Sequence, residues 1–273
     1  MITASLVLYK SKQSEVQRVL DCVERSCIDR VYVIDNSPTD HIRQIIGPEF
    51  TKVIYIYGQG NVGFGEGNNI GIKEAINNNA DYHVVLNPDV IFEPRVINGL
   101  LNFMELHKDI GAIKPALTNL EGEFMSSAMR LPTPFSIFAK RLLPVKYSRR
   151  IVHKTELRDV DLRLIREVPN LSGSFMFLRL NVLKIVGLFD SRYFMYFEDF
   201  DLIRRIHKVS KVVYYPKETM IHAHAAEHRI NRKLFMYSIR AAIKYFNKWG
   251  WFFDKDQKIW NNEVIMDKNI IAD

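Results

Sequence analysis

The chain has 273 residues, of which 47% are hydrophobic and 25% charged, with a formal net charge of +7. This composition is typical of a soluble globular protein and excludes disordered, collagenous and low-complexity classes. Without a run of about 18 uncharged apolar residues, the sequence predicts no membrane-spanning helix, and its first residues lack a secretory signal pattern. Cys22 and Cys27 are too few for a disulfide framework or a zinc site and indicate free thiols in a reducing compartment.

Apolar runs and helical periodicities alternate along the first hundred residues. Strands are predicted at 5–9, 31–34, 52–57 and 83–86, and helices at 14–26, at 39–47 and from a glycine-rich turn to about residue 77. Near-continuous apolar strands separated by helices predict an α/β fold whose parallel sheet is covered on both faces. Ligands of such sheets bind beyond the carboxyl ends of the strands, where Asp35, the glycine-rich turn and Asp89 fall.

The second half of the chain is less regular. Its predicted elements are helices at 95–107, 198–208 and 228–249 and strands at 111–115, 175–180 and 211–215. Prolines at positions 132, 134 and 144 indicate that 116–167 is rich in loops. Because no repeat and no linker is evident, we expect a single domain over residues 1–273.

The glycine-rich turn contains a G-x-G-x-x-G pattern at Gly58, Gly60 and Gly63. A dinucleotide-binding turn normally follows the first strand of its sheet, whereas this one follows the third, so we reject that interpretation. The longer stretch 61–72 carries repeated glycines, which let the backbone approach either a ligand or a tightly packed neighbour. Both of these interpretations stay open.

Two carboxylates end predicted strands. Asp35 could accept hydrogen bonds from a nucleotide base or ribose, or it could form a local Asx-turn. Asp89, in the sequence Leu-Asn-Pro-Asp at 86–89, could hold Mg²⁺ or Mn²⁺ against a pyrophosphate, or it could simply complete a turn.

Three acids lie in an aromatic run at 193–201, namely Glu198, Asp199 and Asp201. Burying a carboxylate beside aromatic rings costs free energy unless the carboxylate is paired or used. The alternative is structural, since Asp201 can pair with Arg205 on the helix and Asp199 is favoured at a helix N-terminus.

Histidines cluster at positions 222, 224 and 228. On a strand, His222 and His224 would face the same side, where they could join a carboxylate in a metal site. Ordinary core or surface histidines are the alternative.

Two basic segments, 138–154 and 229–248, contain no acid, so the rest of the chain is mildly acidic. The second segment predicts an amphipathic helix that continues into aromatic residues up to 253, a pattern typical of helices on an anionic membrane surface. A terminal helix with a solvated basic face is the alternative. Because the charge is local and no nucleic-acid module is present, we expect no nucleic-acid partner.

Taken in order, these motifs resemble family 2 glycosyltransferases, in particular the rhamnosyltransferase-like branch that builds bacterial surface polysaccharides. The resemblance spans about residues 3–250 and rests on matches at 35–37, 61–65, 67–69, 86–89, 171–176, 187–190 and 194–202 and on Pro216 with His222.

The resemblance implies a GT-A fold with a mostly parallel sheet flanked by helices, followed by a C-terminal amphipathic helix. It implies a nucleotide-sugar-binding half at 1–115, an acceptor and catalytic half at 116–227 and a helical extension at 228–273. The implied reaction is inverting transfer of a sugar from a nucleoside diphosphate to a glycan or lipid-linked acceptor, at the cytoplasmic face of a membrane. dTDP-rhamnose is the favoured donor, and a UDP-hexose donor or a non-catalytic sugar-nucleotide or polyanion binder is the alternative.

The resemblance also assigns roles to residues. Asp199 matches the general base and Glu198 its partner, while Asp89 and His222 match ligands of Mg²⁺ or Mn²⁺. The implied donor-binding residues are Tyr9, Asp35, Asn61, Gly63, Gly65, Asn68, Asn87, Gly173 and Ser174. Asn87 stands where the family's D-x-D motif has its first aspartate, which removes one charge and leaves metal dependence open.

Overall fold

The structure is a computed structural model that describes residues 1–223 and 232–271. Its strands are β1 (Ile2–Leu8), β2 (Arg30–Asp35), β3 (Val53–Tyr57), β4 (Tyr82–Leu86), β5 (Val90–Ile91), β6 (Ile110–Thr118), β7 (Phe124–Met125), β8 (Ala128–Met129), β9 (Arg166–Glu167), β10 (Asn170–Leu171), β11 (Phe175–Arg179) and β12 (Lys211–His222). Its α-helices are α1 (Gln13–Arg25), α2 (Phe64–Asn77), α3 (Pro94–Leu106), α4 (Pro134–Leu142), α5 (Val145–Thr155), α6 (Leu180–Val186), α7 (Glu198–His207), α8 (Arg232–Trp249) and α9 (Lys255–Glu263). Short 3-10 helices span His41–Ile45 and Asp267–Asn269.

The central sheet has the order β3-β2-β1-β4-β11-β6-β12-β5. The strands β3, β2, β1, β4, β6 and β12 run in one direction, and β11 runs antiparallel between β4 and β6. The carboxyl ends of the parallel strands and the amino end of β11 therefore meet at one edge of the sheet. The expected GT-A type α/β architecture, a mostly parallel sheet flanked by helices, is confirmed.

Each face of the sheet carries its own apolar layer, because alternate side chains of a strand point to opposite faces. Helices α1 and α3 cover one face with residues such as Val19 and Leu100, which pack on Leu6 and Val84. Helices α2, α6 and α7 cover the other face. Cys22 is buried within α1 and Cys27 is half-buried after it, and both thiols are free.

Segment 116–167 was predicted to be loop-rich, and this prediction is wrong for α4 and α5. Pro134 lies in the first turn of α4, and Pro144 is the N-cap residue of α5, positions where a missing N–H costs nothing. The side chains of Thr133 and Ser136 form a reciprocal capping box at the start of α4. The prolines therefore begin these helices rather than interrupting them.

Helix α8 is tied to α7 by buried polar contacts as well as by apolar packing. Arg204, with a side chain only 1% exposed, makes a bidentate ion pair with Asp254 and lies 4.2 Å over the ring of Trp249. The fully buried Asp201 accepts a hydrogen bond from the indole N–H of Trp249 at 2.9 Å and pairs with Lys248 at 2.7 Å. These contacts fix α8 and the loop after it to the helix that begins with Glu198 and Asp199.

No helix in the described part of the chain is long and apolar enough to cross a membrane.

Candidate active site

The carboxyl edge of the sheet gathers most of the predicted site residues. The half-exposed Tyr9 follows β1, Asp35 ends β2, Asn87 follows β4 and His222 ends β12. The loop at 172–174 leads into the amino end of β11, where Phe175 pairs with Leu86 of β4. Residues that are far apart in sequence are thus neighbours at this edge.

Asp35 is fully buried and its carboxylate is bonded within the protein. It accepts hydrogen bonds from the backbone N–H of Ser37 at 2.9 Å and from the hydroxyl of Tyr55 at 2.7 Å. The Ser37 contact is an Asx-turn, so the structural alternative for this residue is present. Contact between Asp35 and a nucleobase stays a prediction.

The glycines before and within α2 pack against the segment that leads to α7. Gly63 has φ of +88°, and a Cβ there would lie 2.2 Å from the carbonyl oxygen of Phe194. A Cβ on Gly65 would lie 3.1 Å from Phe189 and 3.5 Å from Glu198. The side chain of Asn61 accepts a hydrogen bond from the N–H of Gly63 at 3.1 Å. The packing interpretation of these glycines is therefore present in the structure, and their contact with a donor stays a prediction.

Asn68 lies in the second turn of α2 and is fully buried. Its carbonyl oxygen accepts a hydrogen bond from Ser5, and its amide donates to the carbonyl oxygen of Phe64 at 3.0 Å. These hydrogen bonds hold the start of α2 against β1, and contact between Asn68 and the donor stays a prediction.

Asp89 and His222 meet through strand pairing. Val90 of β5 pairs with His222 of β12, and the N–H of Ala223 donates to the carbonyl oxygen of Asp89 at 2.9 Å. The carboxylate Oδ2 of Asp89 lies 3.2 Å from Nε2 of His222. Their side chains are 18% and 16% exposed, while the Asp89 Oδ1 and His222 Nε2 atoms themselves are buried.

This pair fits a divalent cation that takes its remaining ligands from elsewhere. Carboxylate and imidazole groups are ligands for Mn²⁺, and Mg²⁺ usually combines one or two carboxylates with waters and substrate phosphates. No group of three or more His, Cys, Asp or Glu side chains within 1–223 and 232–271 is placed to bind a metal. His224 and His228, the other members of the predicted histidine cluster, lie outside the described residues.

Asp199 lies in the first turn of α7, facing the 172–174 loop. Its carboxylate accepts hydrogen bonds from the N–H of Gly173 at 3.0 Å and from the N–H of Phe200 at 2.8 Å. Burial raises the pKa of Asp199, while these N–H groups and the charge of Lys114 lower it. The carboxylate is thus held in a defined orientation close to the strand ends.

Glu198 is buried beside Asp199. Burial, reinforced by the charge of Asp199, raises the pKa of Glu198 well above its usual range. Among the residues that the structure describes, none hydrogen-bonds to Oε2 of Glu198. The neighbouring acids therefore favour a state in which Asp199 carries the charge and Glu198 the proton.

The turn before α7 is conformationally unusual. Tyr196 and Phe197 have φ of 71° and 66°, which is the left-handed region that non-glycine residues rarely adopt. The ring of Phe197 packs 5.3 Å from that of Tyr245 and 6.3 Å from that of Phe246, both on α8. The start of the helix that presents Asp199 is therefore stabilised by α8.

Sequence reasoning missed Lys114. Lys114 is the one charged residue within β6 and is fully buried, a signal visible in the sequence as a lysine inside an apolar strand. Asp190, in the matched stretch 187–190, pairs with Arg192 at 2.6 Å and Lys248 at 3.2 Å. Those ion pairs hold the pKa of Asp190 low and occupy its carboxylate.

Comparisons with known proteins give the family and the fold of the chain. A family model described as Glycosyl transferase family 2 matches residues 6–184. The chain is 29% identical over 212 residues to an N-acetylglucosaminyl-diphospho-decaprenol L-rhamnosyltransferase of Mycobacterium tuberculosis, covering 70% of this chain and 66% of the relative. It is 27% identical over 226 residues to the rhamnosyltransferase WbbL of Escherichia coli, covering 79% and 81%. The solved structure of GalNAc-T7 with UDP, GalNAc and Mn²⁺ matches with a TM-score of 0.63 at 16% identity, covering 84% of this chain and 44% of that one.

The fold is that of the GT-A glycosyltransferases. Because the family model matches well over half of it, the chain belongs to glycosyl transferase family 2. Within that family it is similar to rhamnosyltransferases, as the motifs indicated. The chain spans about two thirds of the length of the mycobacterial relative.

Proposed function

We propose that the protein is an inverting glycosyltransferase that moves rhamnose from dTDP-rhamnose to a glycan or lipid-linked acceptor. The observation that carries this proposal is that two groups lie at the same edge of the sheet. One is the carboxylate of Asp199, oriented by two backbone N–H groups, and the other is the Asp89–His222 pair, which fits a divalent cation. The two positions are linked through the 172–174 loop, since Ser174 accepts a hydrogen bond from the N–H of Asn87 at 3.1 Å. Similarity to rhamnosyltransferases supports the choice of donor.

In the proposed reaction, Asp199 takes the proton of the acceptor hydroxyl as that oxygen attacks the anomeric carbon. A positioned carboxylate contributes about 10²–10⁴-fold to such a step. The nucleoside diphosphate leaves from the opposite side of the sugar, so the configuration at the anomeric carbon inverts. Glu198, whose burial favours its neutral form, leaves the negative charge on its neighbour.

Asp89 and His222, with the amide of Asn87 nearby in the chain, are the residues that would hold Mg²⁺ or Mn²⁺. A bound cation supplies electrostatic stabilisation of the charge that develops on the departing diphosphate. Asn87 is neutral, so this site offers one carboxylate where a D-x-D motif offers two.

A thermal-shift series tests donor and metal together. A ligand at about 100 times its Kd stabilises a protein by about 2.7 kcal/mol, which for a chain of this size corresponds to roughly 5–10 °C in Tm. We expect dTDP-rhamnose with Mn²⁺ or Mg²⁺ to raise Tm, and D89N to lose the part of the rise that depends on metal. D161N, which removes an exposed carboxylate paired with Arg163, is the matched control.

The same series separates the alternatives. A larger rise with UDP-hexoses than with dTDP-rhamnose would contradict the proposed donor. Equal metal-dependent rises in the wild type and D89N would contradict the proposed metal site. A rise in Tm with dTDP-rhamnose, together with no product in a sugar-transfer assay, would identify a non-catalytic sugar-nucleotide binder.

We also propose that α4, α5, α8 and the loop after α8 face the inner surface of an anionic membrane. An apolar groove of about 230 Å³ lies between α4 and α8, and Ser238 is the one polar residue among those that line it. Beside it, Trp251, Phe252 and Phe253 are exposed, Phe253 to 93%. An aromatic cluster this exposed is costly in water and is typical of interaction surfaces.

The charge of the neighbouring helices fits this surface. The exposed Lys146, Arg149 and Arg150 lie on α5, which contains no acid. Each cation near an anionic membrane contributes about 1 kcal/mol. Lys244 and Lys248 do not share this role, since they contact Arg192 and the carboxylates of Asp190 and Asp201. Arg229 lies outside the described residues, and the side chains of Lys140 and Arg141 are likewise outside that description.

Vesicle flotation tests the membrane surface. We expect the protein to float with vesicles of phosphatidylglycerol and phosphatidylcholine at low salt, and F252S/F253S to lose most of this binding. L106S is the matched control, because Leu106 is 78% exposed at the end of α3, on a helix outside the proposed surface. Absence of flotation, or equal loss in L106S, would contradict the proposed surface.

A further inference from the structure

Lys114 has no part in the mechanism above, yet it is buried near the proposed base. It lies in the middle of β6, and its side chain is among the largest fully buried ones in the described structure. Burying a lysine is costly unless its charge is compensated, so the residues that surround the amino group indicate its role.

Among the residues that the structure describes, the amino group of Lys114 donates its hydrogen bonds to the loop that faces Asp199. It donates to the carbonyl oxygen of Ser172 at 2.7 Å, to the hydroxyl of Ser172 at 2.7 Å and to the hydroxyl of Ser174 at 2.8 Å. An ammonium group has three N–H donors, and here three oxygens receive them. The loop is thus fastened at both of its serines.

Between those serines, Gly173 donates its N–H to Oδ2 of Asp199 at 3.0 Å. A Cβ on Gly173 would lie 3.4 Å from that of Asp199, so the loop packs against Asp199 at Gly173. The contacts therefore run from Lys114 through the loop to the carboxylate.

Lys114 also acts on Asp199 through its charge. The positive charge of Lys114 lowers the pKa of Asp199, against the burial that raises it. In return, Asp199 raises the pKa of Lys114, which burial lowers to about 7. Glu198 is the neighbouring carboxyl group, and burial together with the charge of Asp199 raises its pKa and favours its neutral form.

We propose that Lys114 is a positioning residue, which holds the 172–174 loop against Asp199 and keeps that carboxylate ionised. The role rests on the proposed function, because it matters for catalysis only if Asp199 is the base. It explains why a lysine lies inside an otherwise apolar strand.

The proposal predicts a defined pH dependence. A carboxylate base is lost as pH falls through its pKa, so the acid limb of the pH–rate profile reports on Asp199. Loss of a buried opposite charge raises a carboxyl pKa by about 1–3 units. We therefore expect K114M to move the acid limb upward by about one pH unit or more. At a pH below the limb, each unit of this shift lowers kcat by about tenfold relative to the wild type.

Three variants separate charge from loop support. K114R retains a positive charge and is expected to keep the wild-type acid limb. S174A removes one acceptor but leaves the charge, so it is expected to lower kcat without moving the limb. K211M is the matched control, because Lys211 lies on the adjacent strand β12 and pairs with Asp109 at a half-exposed site.

A direct titration keeps the test independent of activity. The carboxyl ¹³C signal of Asp199, assigned by its absence in D199N, is followed against pH in the wild type and K114M. An upward shift of about one unit or more in K114M, absent in K211M, supports the proposal, and an unchanged titration overturns it.

If D199N keeps full transfer while the titration shifts, the base assignment fails and the electrostatic role of Lys114 stands. If K114M does not fold, the wild-type acid limb in K114R and S174A supports the proposal, and a limb shifted in K114R overturns it.

Discussion

Replacing Asp199 by asparagine is expected to lower kcat for sugar transfer by about 10²–10⁴-fold, because the amide cannot accept the proton of the attacking hydroxyl. Asparagine has nearly the same shape, and its carbonyl oxygen can still accept one of the two N–H groups that now bond to Asp199. We therefore expect D199N to fold and to retain the thermal shift caused by the donor. Steady-state kinetics with dTDP-rhamnose and a defined acceptor measure the loss.

D190N is a useful comparison for this variant. Asp190 lies in the preceding motif, but its carboxylate is engaged by Arg192 and Lys248 at the surface of α8. We expect D190N to keep most of its kcat. Transfer by D199N at near the wild-type rate would refute the assignment of the base, whatever the result with D190N.

Replacing Arg204 by methionine is expected to lower the free energy of unfolding by about 3–5 kcal/mol, since it leaves the mostly buried carboxylate of Asp254 without its partner. The change also removes the contact between the guanidinium group and Trp249. Urea unfolding followed by tryptophan fluorescence measures the effect.

Two further variants isolate the ion pair. R163M removes a guanidinium group that is 89% exposed, and we expect a change within about 1 kcal/mol. R204M/D254N removes the unpaired charge while an asparagine can still cap α9, so it should recover part of the lost stability. If R204M unfolds at the same urea concentration as R163M, the buried pair does not fasten α8 to α7.

Much of the fold and of the site edge follows from local sequence patterns. Apolar runs at 31–34 and 83–86 predict strands of one parallel sheet, and the rule that ligands bind at carboxyl ends singles out Asp35 and Asp89. The acids at 198–201 are conspicuous because they interrupt an aromatic run. Each of these signals lies within a window of about ten residues.

What sequence could not supply depends on pairing over long distances. The short strand β5 meets the end of β12, and this contact alone brings Asp89 to His222. Lys114 acquires its role only because β6 lies next to β11 and its preceding loop. The glycines at 61–72 were open to two interpretations, and the close approach of Phe194 to Gly63 is the packing contact that sequence alone could not supply.

The left-handed turn at Tyr196 and Phe197 sets a lower limit on the size of the working unit. Such a conformation costs about 1–3 kcal/mol for each residue and persists only where the surroundings enforce it. Here the enforcing surface is α8, which begins 48 positions beyond the end of the matched family region at residue 184. Helix α8 and the loop to Asp254 thus stabilise the start of α7, which presents the proposed base Asp199. A fragment that ends at residue 184 would lack both Asp199 and the helix that stabilises its position.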